Sequence, residues 1–288
     1  MTWRRAPTLP IQPAVEAHPT PSALSAETRA QARAALGQCY AEARKMPGNL
    51  LPHECLDDLL TAAGAIVREV GELDHEPVAH ADEGSPEDYH LNHPIDSTVA
   101  GLLVGRRVLP AGRLKELGTG LFLKDIGMLA LPPRIVHKPG PLEADEWELM
   151  RRHPLLGLEF VRDERVGIAA TSVVRGHHER WDGHGYPDGR IGREISIFAR
   201  IGSLADAFDA LTSERWYAPA RPVAETIDAI REESGKAFDP ELTQSFCDAI
   251  AVDPAAARSD RERRRARSRH RSRAGDRRLR GRRTGRTR

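Results

Sequence analysis

Cysteine, lysine, aromatic residues and long apolar runs are all scarce in this chain of 288 residues. The three cysteines, Cys39, Cys55 and Cys247, lie far apart, show no CxxC spacing and are odd in number. That argues against a disulfide framework and for reduced structural thiols in a reducing compartment. Nowhere do 18 consecutive apolar residues occur, so no membrane-spanning helix is expected. The opening MTWRRAPTLPIQPAVEAHPTPS has no apolar run of signal-peptide length. The expectation from these absences is a cytoplasmic protein without membrane contact. No run of alternating apolar and polar residues marks a strand, and no internal repeat is present. Of the 43 basic residues only five are lysine, at 45, 115, 124, 138 and 236. That arginine bias carries no functional implication by itself.

What is present is unevenly distributed. From Arg258 onward there are 16 arginines against three acidic residues, which leaves the rest of the chain acidic although the total is only +1. This tail has a single leucine and no other large apolar residue, so residues 253 to 288 are expected to be disordered. With no interleaved aromatic residue for stacking, its expected contacts with nucleic acid are nonspecific and electrostatic. Residues 1 to 24 carry five prolines and read as a flexible lead-in.

Between these ends the periodicity is helical. Residues 25 to 46 are alanine-rich and open with a partial capping pattern at Ser25. CLDDLLTAAGAIVREV, residues 55 to 70, places Leu56, Leu59, Leu60, Ala63, Ile66, Val67 and Val70 at helical spacing. Residues 71 to 88 are polar and offer the best boundary. Helices are then expected over 89 to 108, 113 to 127, 143 to 152, 154 to 163, 166 to 179, 194 to 212, 222 to 234 and 240 to 251, with a proline-rich connection from Leu131. The fold class is therefore all-α, with an N-terminal helical region over 25 to 88 and a main domain over 89 to 252.

Helical folds build metal sites from side chains that converge from several helices. RGHHERWDGHGYPDGR, residues 175 to 190, is too polar and glycine-rich to be core, and it holds the adjacent pair His177 and His178. Two consecutive residues point about 100° apart on a helix, so one ion takes both most easily near a helix end. His93, Asp125, His153 and Asp206 are the other candidates. Imidazole and carboxylate ligands suit Mn, Fe or Zn. Taken singly each has a plainer reading: His93 as a surface or capping histidine, and Asp125 with Gly127 as a helix end where glycine supplies a left-handed turn. Asp206 sits between Ala205 and Ala207 on an apolar helix, where a carboxylate without a partner is costly.

In order along the chain, His93, KDIG at 124 to 127, KPG at 138 to 140, HP at 153 and 154, HHERWDGHGYPDG and ADAFDALTS resemble the HD-GYP family of HD-superfamily phosphohydrolases. The resemblance runs from about Tyr89 to Ile250. It implies an HD-type helical bundle holding two, sometimes three, divalent ions that activate water to cleave a phosphodiester bond of cyclic di-GMP. It assigns His93, Asp125 and Asp206 to one metal position and His153, His177 and His178 to the other, with Asp125 bridging. Arg215 and Tyr217 fall at substrate-binding positions. Asp182, Gly183, Gly185, Tyr186 and Pro187 form the GYP loop, which would shape the entrance and contact GGDEF-domain partners.

The chain departs from that pattern at four places. Lys124 stands where the family has the histidine of its His-Asp pair, and an ammonium has no lone pair for a metal. Met128 replaces a lysine, Ala218 a basic residue, and Tyr89 stands where members with a third ion carry Glu. Asp125 and Lys124 are thus the candidate catalytic groups, with the Lys124 charge taking over part of one ion's role. One or two ions are expected. The first functional expectation is a cyclic di-GMP phosphodiesterase, or a phosphohydrolase on a related nucleotide, with impaired activity. The alternative is a non-catalytic HD-GYP module in cyclic di-GMP signalling. For residues 25 to 88, sensing, homodimer formation and plain support of the fold all stay open.

Overall fold

The computed structural model describes residues 23–45, 53–73, 88–215 and 219–250. Ser25 caps α1 (Ala26–Ala43) by accepting the Thr28 amide at 3.2 Å. Its own hydroxyl donates to the Glu69 carboxylate near the end of α2 (His53–Gly71), at 3.2 Å. The apolar stripe of α2 then packs inward: Leu56, Leu59, Ala63, Ile66 and Val70 are buried, while Leu60 and Val67 sit half-buried at its edges.

The central helix is α3 (Tyr89–Val108), buried continuously from Asn92 to Gly105. Gly101 lets it pass close to its neighbours, since a Cβ there would lie 2.5 Å from Leu121 Cδ1 and 3.3 Å from Ala205 Cβ. Those residues belong to α4 (Leu114–Leu123) and α9 (Ile197–Thr212). Between them run the short helices α5 (Pro133–Val136) and α6 (Ala144–Met150), followed by α7 (His153–Phe160) and α8 (Gly167–Gly176). Then α10 (Val223–Glu232) and α11 (Pro240–Ile250) close over α3 and α9, with Phe246 edge-on to Phe208 at 5.5 Å. Among the described residues there is no β-strand, only the isolated bridges Asp182–Ile191 and Ser234–Phe238. The protein is all-α, in line with the sequence reading.

Helices α1 and α2 share one contiguous apolar core with α3, α4 and α9. Arg29 of α1 pairs with Asp96 of α3 at 2.8 Å, and Arg33 donates to Asn92. Of the lead-in expected over residues 1 to 24, only Ala23 and Leu24 lie within the described residues, and both are buried. The Arg-rich tail, most of the polar segment 71 to 88, and Tyr217 and Ala218 lie outside the described residues. Among the described residues no helix is long and apolar enough to cross a membrane.

One expected element needs correction. The helix over 113 to 127 ends at Leu123, and after Lys124 and Asp125 the chain tightens into a 3₁₀ segment, Ile126–Ala130. The break turns Lys124 and Asp125 into the interior. The reading of Gly127 as a left-handed helix end is corrected too, because its φ is not positive. Close approach is what selects glycine here. A Cβ at Gly127 would collide with the His153 carbonyl oxygen and the Gly157 amide nitrogen, and would lie 2.9 Å from Gly157 Cα. Backbone atoms cannot rotate away, so Gly127→Ala is expected to destabilise the protein by about 3 kcal/mol or more, read as a lowered urea midpoint. A variant as stable as the parent would contradict this packing. The expected proline-rich connection also contains α5, which starts where Pro133 occupies a first-turn position.

Candidate metal centre

Five helices deliver the candidate ligands. α3 carries His93; the break after α4 carries Asp125; α7 begins at His153; α8 ends at Gly176, so that His177 and His178 leave it as predicted for a pair at a helix end; and α9 carries Asp206. The structure brings all six together in two donor sets. Asp125, His153, His177 and His178 each offer an atom within 4.8 Å of the others, and His93, Asp125 and Asp206 do the same. Asp125 belongs to both. Its Oδ1 faces His153 Nε2 at 3.6 Å and His177 Nε2 at 3.5 Å, while its Oδ2 faces His93 Nε2 at 3.3 Å.

The histidine-rich set fits a divalent ion by its proton arrangement. His153 Nδ1 lies 2.8 Å from the Met150 carbonyl, and His177 Nδ1 lies 3.0 Å from the Val173 carbonyl. A carbonyl only accepts, so both Nδ1 atoms carry the proton and donate it. Both Nε2 atoms therefore present lone pairs, and they converge to 3.3 Å with no proton between them. Burial, and then the neighbouring His177, push the His153 pKa down to about 4 and the His178 pKa well below the usual histidine range. Neutral imidazoles of this kind are ready to coordinate.

The second set contains a cation of the chain's own. The Lys124 side chain is fully buried, and its ammonium lies 2.6 Å from His93 Nε2 and 2.8 Å from Asp206 Oδ1, and pairs with Asp125 Oδ2. It thus contacts every member of the set. Burial pushes its pKa down, but the Asp125 and Asp206 carboxylates outweigh that and leave it above the usual lysine value, hence charged. In turn, against the upward push of burial, Lys124 leads in holding both carboxyls well below their usual range. An imidazole facing an ammonium at 2.6 Å must accept from it, which assigns the His93 proton to Nδ1, where it donates to Asp209 Oδ2 at 2.5 Å. The same Nε2 lies 3.0 Å from Asp206 Oδ1 and 3.3 Å from Asp125 Oδ2, and against burial and the Lys124 charge the hydrogen bonds to Asp125, Asp206 and Asp209 push the His93 pKa well above the usual histidine value.

Asp209 was missed in the sequence reading, although its spacing of three from Asp206 on α9 signals a shared face. Tyr89 stacks on His93 at 5.0 Å and 24°, and the Arg215 guanidinium lies over the Tyr89 ring at 5.7 Å. Arg215 thus reaches the α3 side of the site through an aromatic ring.

Across the site, the GYP loop is held by Glu179, a second buried carboxylate that the sequence reading passed over. Its oxygens accept the Asp188 and Arg190 amides at 2.7 and 3.1 Å. Gly183 adopts φ 79°, and Gly185 lies so close to the turn before it that a Cβ would be 2.6 Å from the His178 carbonyl oxygen. Arg180 holds the Asp182 carboxyl down to about 2, and Asp182 accepts the His184 amide. The Tyr186–Pro187 peptide is cis. Tyr186 stacks on His178 at 4.8 Å, with the Arg151 guanidinium 4.8 Å from the Tyr186 ring centre, so the loop fixes one candidate ligand directly.

Comparison with known proteins matches this arrangement. The HD domain family model covers residues 97–242, half of the chain, and includes every candidate ligand except His93. The chain belongs to the HD-domain family. Its HD-GYP character is supported by curated relatives. The cyclic di-GMP phosphodiesterase PA4108 of Pseudomonas aeruginosa is 36% identical over 173 residues, covering 59% of this chain and 42% of that protein. The 3'3'-cGAMP-specific phosphodiesterase 2 of Vibrio cholerae is 37% identical over 124 residues, covering 42% of this chain and 24% of that protein. The chain therefore spans less than half the length of these HD-GYP relatives. Among solved structures, Bd1817, an HDG"Y"P protein from Bdellovibrio bacteriovorus, superposes with a TM-score of 0.55 over 78% of this chain and 70% of its own, at 16% identity. That likeness speaks for the HD-GYP fold.

Proposed function

We propose that this HD-GYP chain binds one divalent ion through Asp125, His153, His177 and His178, takes a phosphodiester of a cyclic dinucleotide there, and hydrolyses it with impaired turnover. The relatives named for cyclic di-GMP and 3'3'-cGAMP support that substrate class. The observation that carries the reading is the placement of the Lys124 ammonium among His93, Asp125 and Asp206.

A divalent ion in the histidine-rich set, Mn, Fe or Zn by its donors, supplies Lewis-acid polarisation of a phosphate oxygen. The chain's own groups do the rest. Met150 and Val173 fix the two imidazole tautomers, and Asp125 couples the two sets through its two oxygens. Lys124 supplies a fixed positive charge where the family pattern implies a second ion. A single charge held by two carboxylates attracts a phosphate less than a divalent ion does, and it cannot polarise water. Met128, half-buried and three residues after Asp125, offers no donor to a phosphate oxygen. Both features reduce turnover without emptying the site. They equally favour a second reading, an HD-GYP module that binds nucleotide, or a GGDEF-domain partner at the GYP loop, and signals without hydrolysis.

Two measurements separate these readings. Metal content of the protein after reconstitution with Mn or Fe tests the centre, and cyclic di-GMP turnover on the same preparation tests the chemistry. Slow turnover that disappears on chelation supports the enzyme, and no turnover at full occupancy supports the module. His177→Ala is expected to abolish most of the bound metal, since it removes one of the two converging Nε2 atoms. Unchanged metal content in that variant would refute the ligand assignment.

A further inference from the structure

Three aromatic rings pack in a row beside the first turns of α3, and one of them comes from α1, outside the residues that match the HD family. Tyr40 packs edge-on against His90 of α3, with centroids 5.4 Å apart and planes at 82°. His90 packs edge-on against His137, again at 5.4 Å and at 75°. His90 precedes the candidate ligand His93 by three positions on α3, so the two are neighbours on one helix face. Burial and the Asp125 charge raise the Tyr40 phenol above its usual range, and Arg44, four residues further along the chain, opposes them.

The exposed side of the row carries a cation. Arg44, exposed at the end of α1, places Nη2 3.5 Å from His137 Nε2. Guanidinium only donates, so Nε2 accepts and the His137 proton sits on Nδ1. That N–H points to no partner among the described residues, and Arg44 has no ion pair among them. His137 is exposed as well. An edge-on ring row buried throughout would be ordinary packing. This one runs from half-buried to exposed and ends in two donors with no acceptor.

We infer that Tyr40, His90, His137 and Arg44 form a nucleotide subsite beside the metal centre, where the rings take an aromatic base by stacking and Arg44 with the His137 Nδ1–H takes a phosphate. The inference rests on the proposed reading in placing one phosphate of a cyclic dinucleotide at Asp125. The base and second phosphate of such a ligand then need an adjoining surface of rings and positive charge. The N-terminal helical region thereby gains a role: α1 supplies one wall of the site.

The test is calorimetric binding of cyclic di-GMP, and separately of GMP, to the full metal-reconstituted chain and to Arg44→Glu and His137→Ala. Both substitutions lie at exposed positions, and metal content and thermal midpoint are measured alongside. The expected result is at least tenfold weaker binding in each variant with metal content unchanged. Tyr40→Phe, which keeps the ring, should bind as the parent does. Cyclic di-GMP bound equally by parent and variants would overturn the subsite and leave the proposed function standing. GMP bound through Arg44 and His137, with no binding of cyclic di-GMP, would keep the subsite and overturn the cyclic dinucleotide reading. Failure of the parent to bind either nucleotide would overturn both.

Discussion

Replacing Lys124 by methionine is expected to cost the metal-free protein about 3–5 kcal/mol, because the change removes one partner of a buried ionic cluster and leaves the other charges behind. Asp125 and Asp206 would lose the ammonium that balances them, and His93 would lose the donor to its Nε2. For a chain of this size the thermal midpoint should fall by upwards of about 6 °C. The control is the added ion: with Lys124 gone, His93, Asp125 and Asp206 are free to take a divalent cation, so Mn should restore much of the lost stability in the variant. Such ligand-linked stabilisation grows with free ion concentration. A methionine variant as stable as the parent without metal would show that Lys124 does not hold this cluster together. A hydrophobic side chain of similar length fills the same space, so loss of packing does not explain the expected result.

The second large effect is a gain. Lys124→His combined with Met128→Lys should give the protein a second ion and raise cyclic di-GMP hydrolysis about a hundredfold or more. A metal ion at the transition state is worth several kcal/mol, and each factor of ten in rate needs about 1.4 kcal/mol. The imidazole supplies the lone pair that the ammonium lacks, and an ammonium in place of the Met128 thioether returns a donor for a phosphate oxygen. The surroundings already match: His93 is oriented by Asp209, and Asp125 already turns one oxygen to each donor set. Metal content and initial rate on one preparation check both halves of this expectation. Full occupancy of both sets without a gain in rate would mean that the loss of turnover lies beyond Lys124 and Met128.

Much of this site was legible from residue order. HHERWDGHGYPDG announced a paired-histidine helix end and a tight loop, and α8 does stop at Gly176 so that His177 and His178 follow its end and join one donor set. The all-α class followed from apolar spacing in α2, α3 and α9, although α3 proves to be buried on every side from Asn92 to Gly105. The break at Lys124 was not legible, because LKELGTGLFLKDIGM keeps helical spacing throughout. What ends α4 is a contact distant in sequence, the packing of Gly127 against His153 and Gly157. Asp209 and Glu179 escaped for a related reason. Their partners, His93 and the loop amides of Asp188 and Arg190, are set by tertiary packing and by the turn itself. The sequence raised Lys124 as a stand-in for a cation. Only the fold brings its ammonium within bonding distance of His93, Asp125 and Asp206 together.

The measurement that tests the central claim most directly is elemental analysis of the unmodified chain after reconstitution with excess Mn or Fe and removal of free ion. With Lys124 holding the second donor set, one ion per chain is expected, lost in His177→Ala. Two ions per chain, with Lys124 in place, would contradict it.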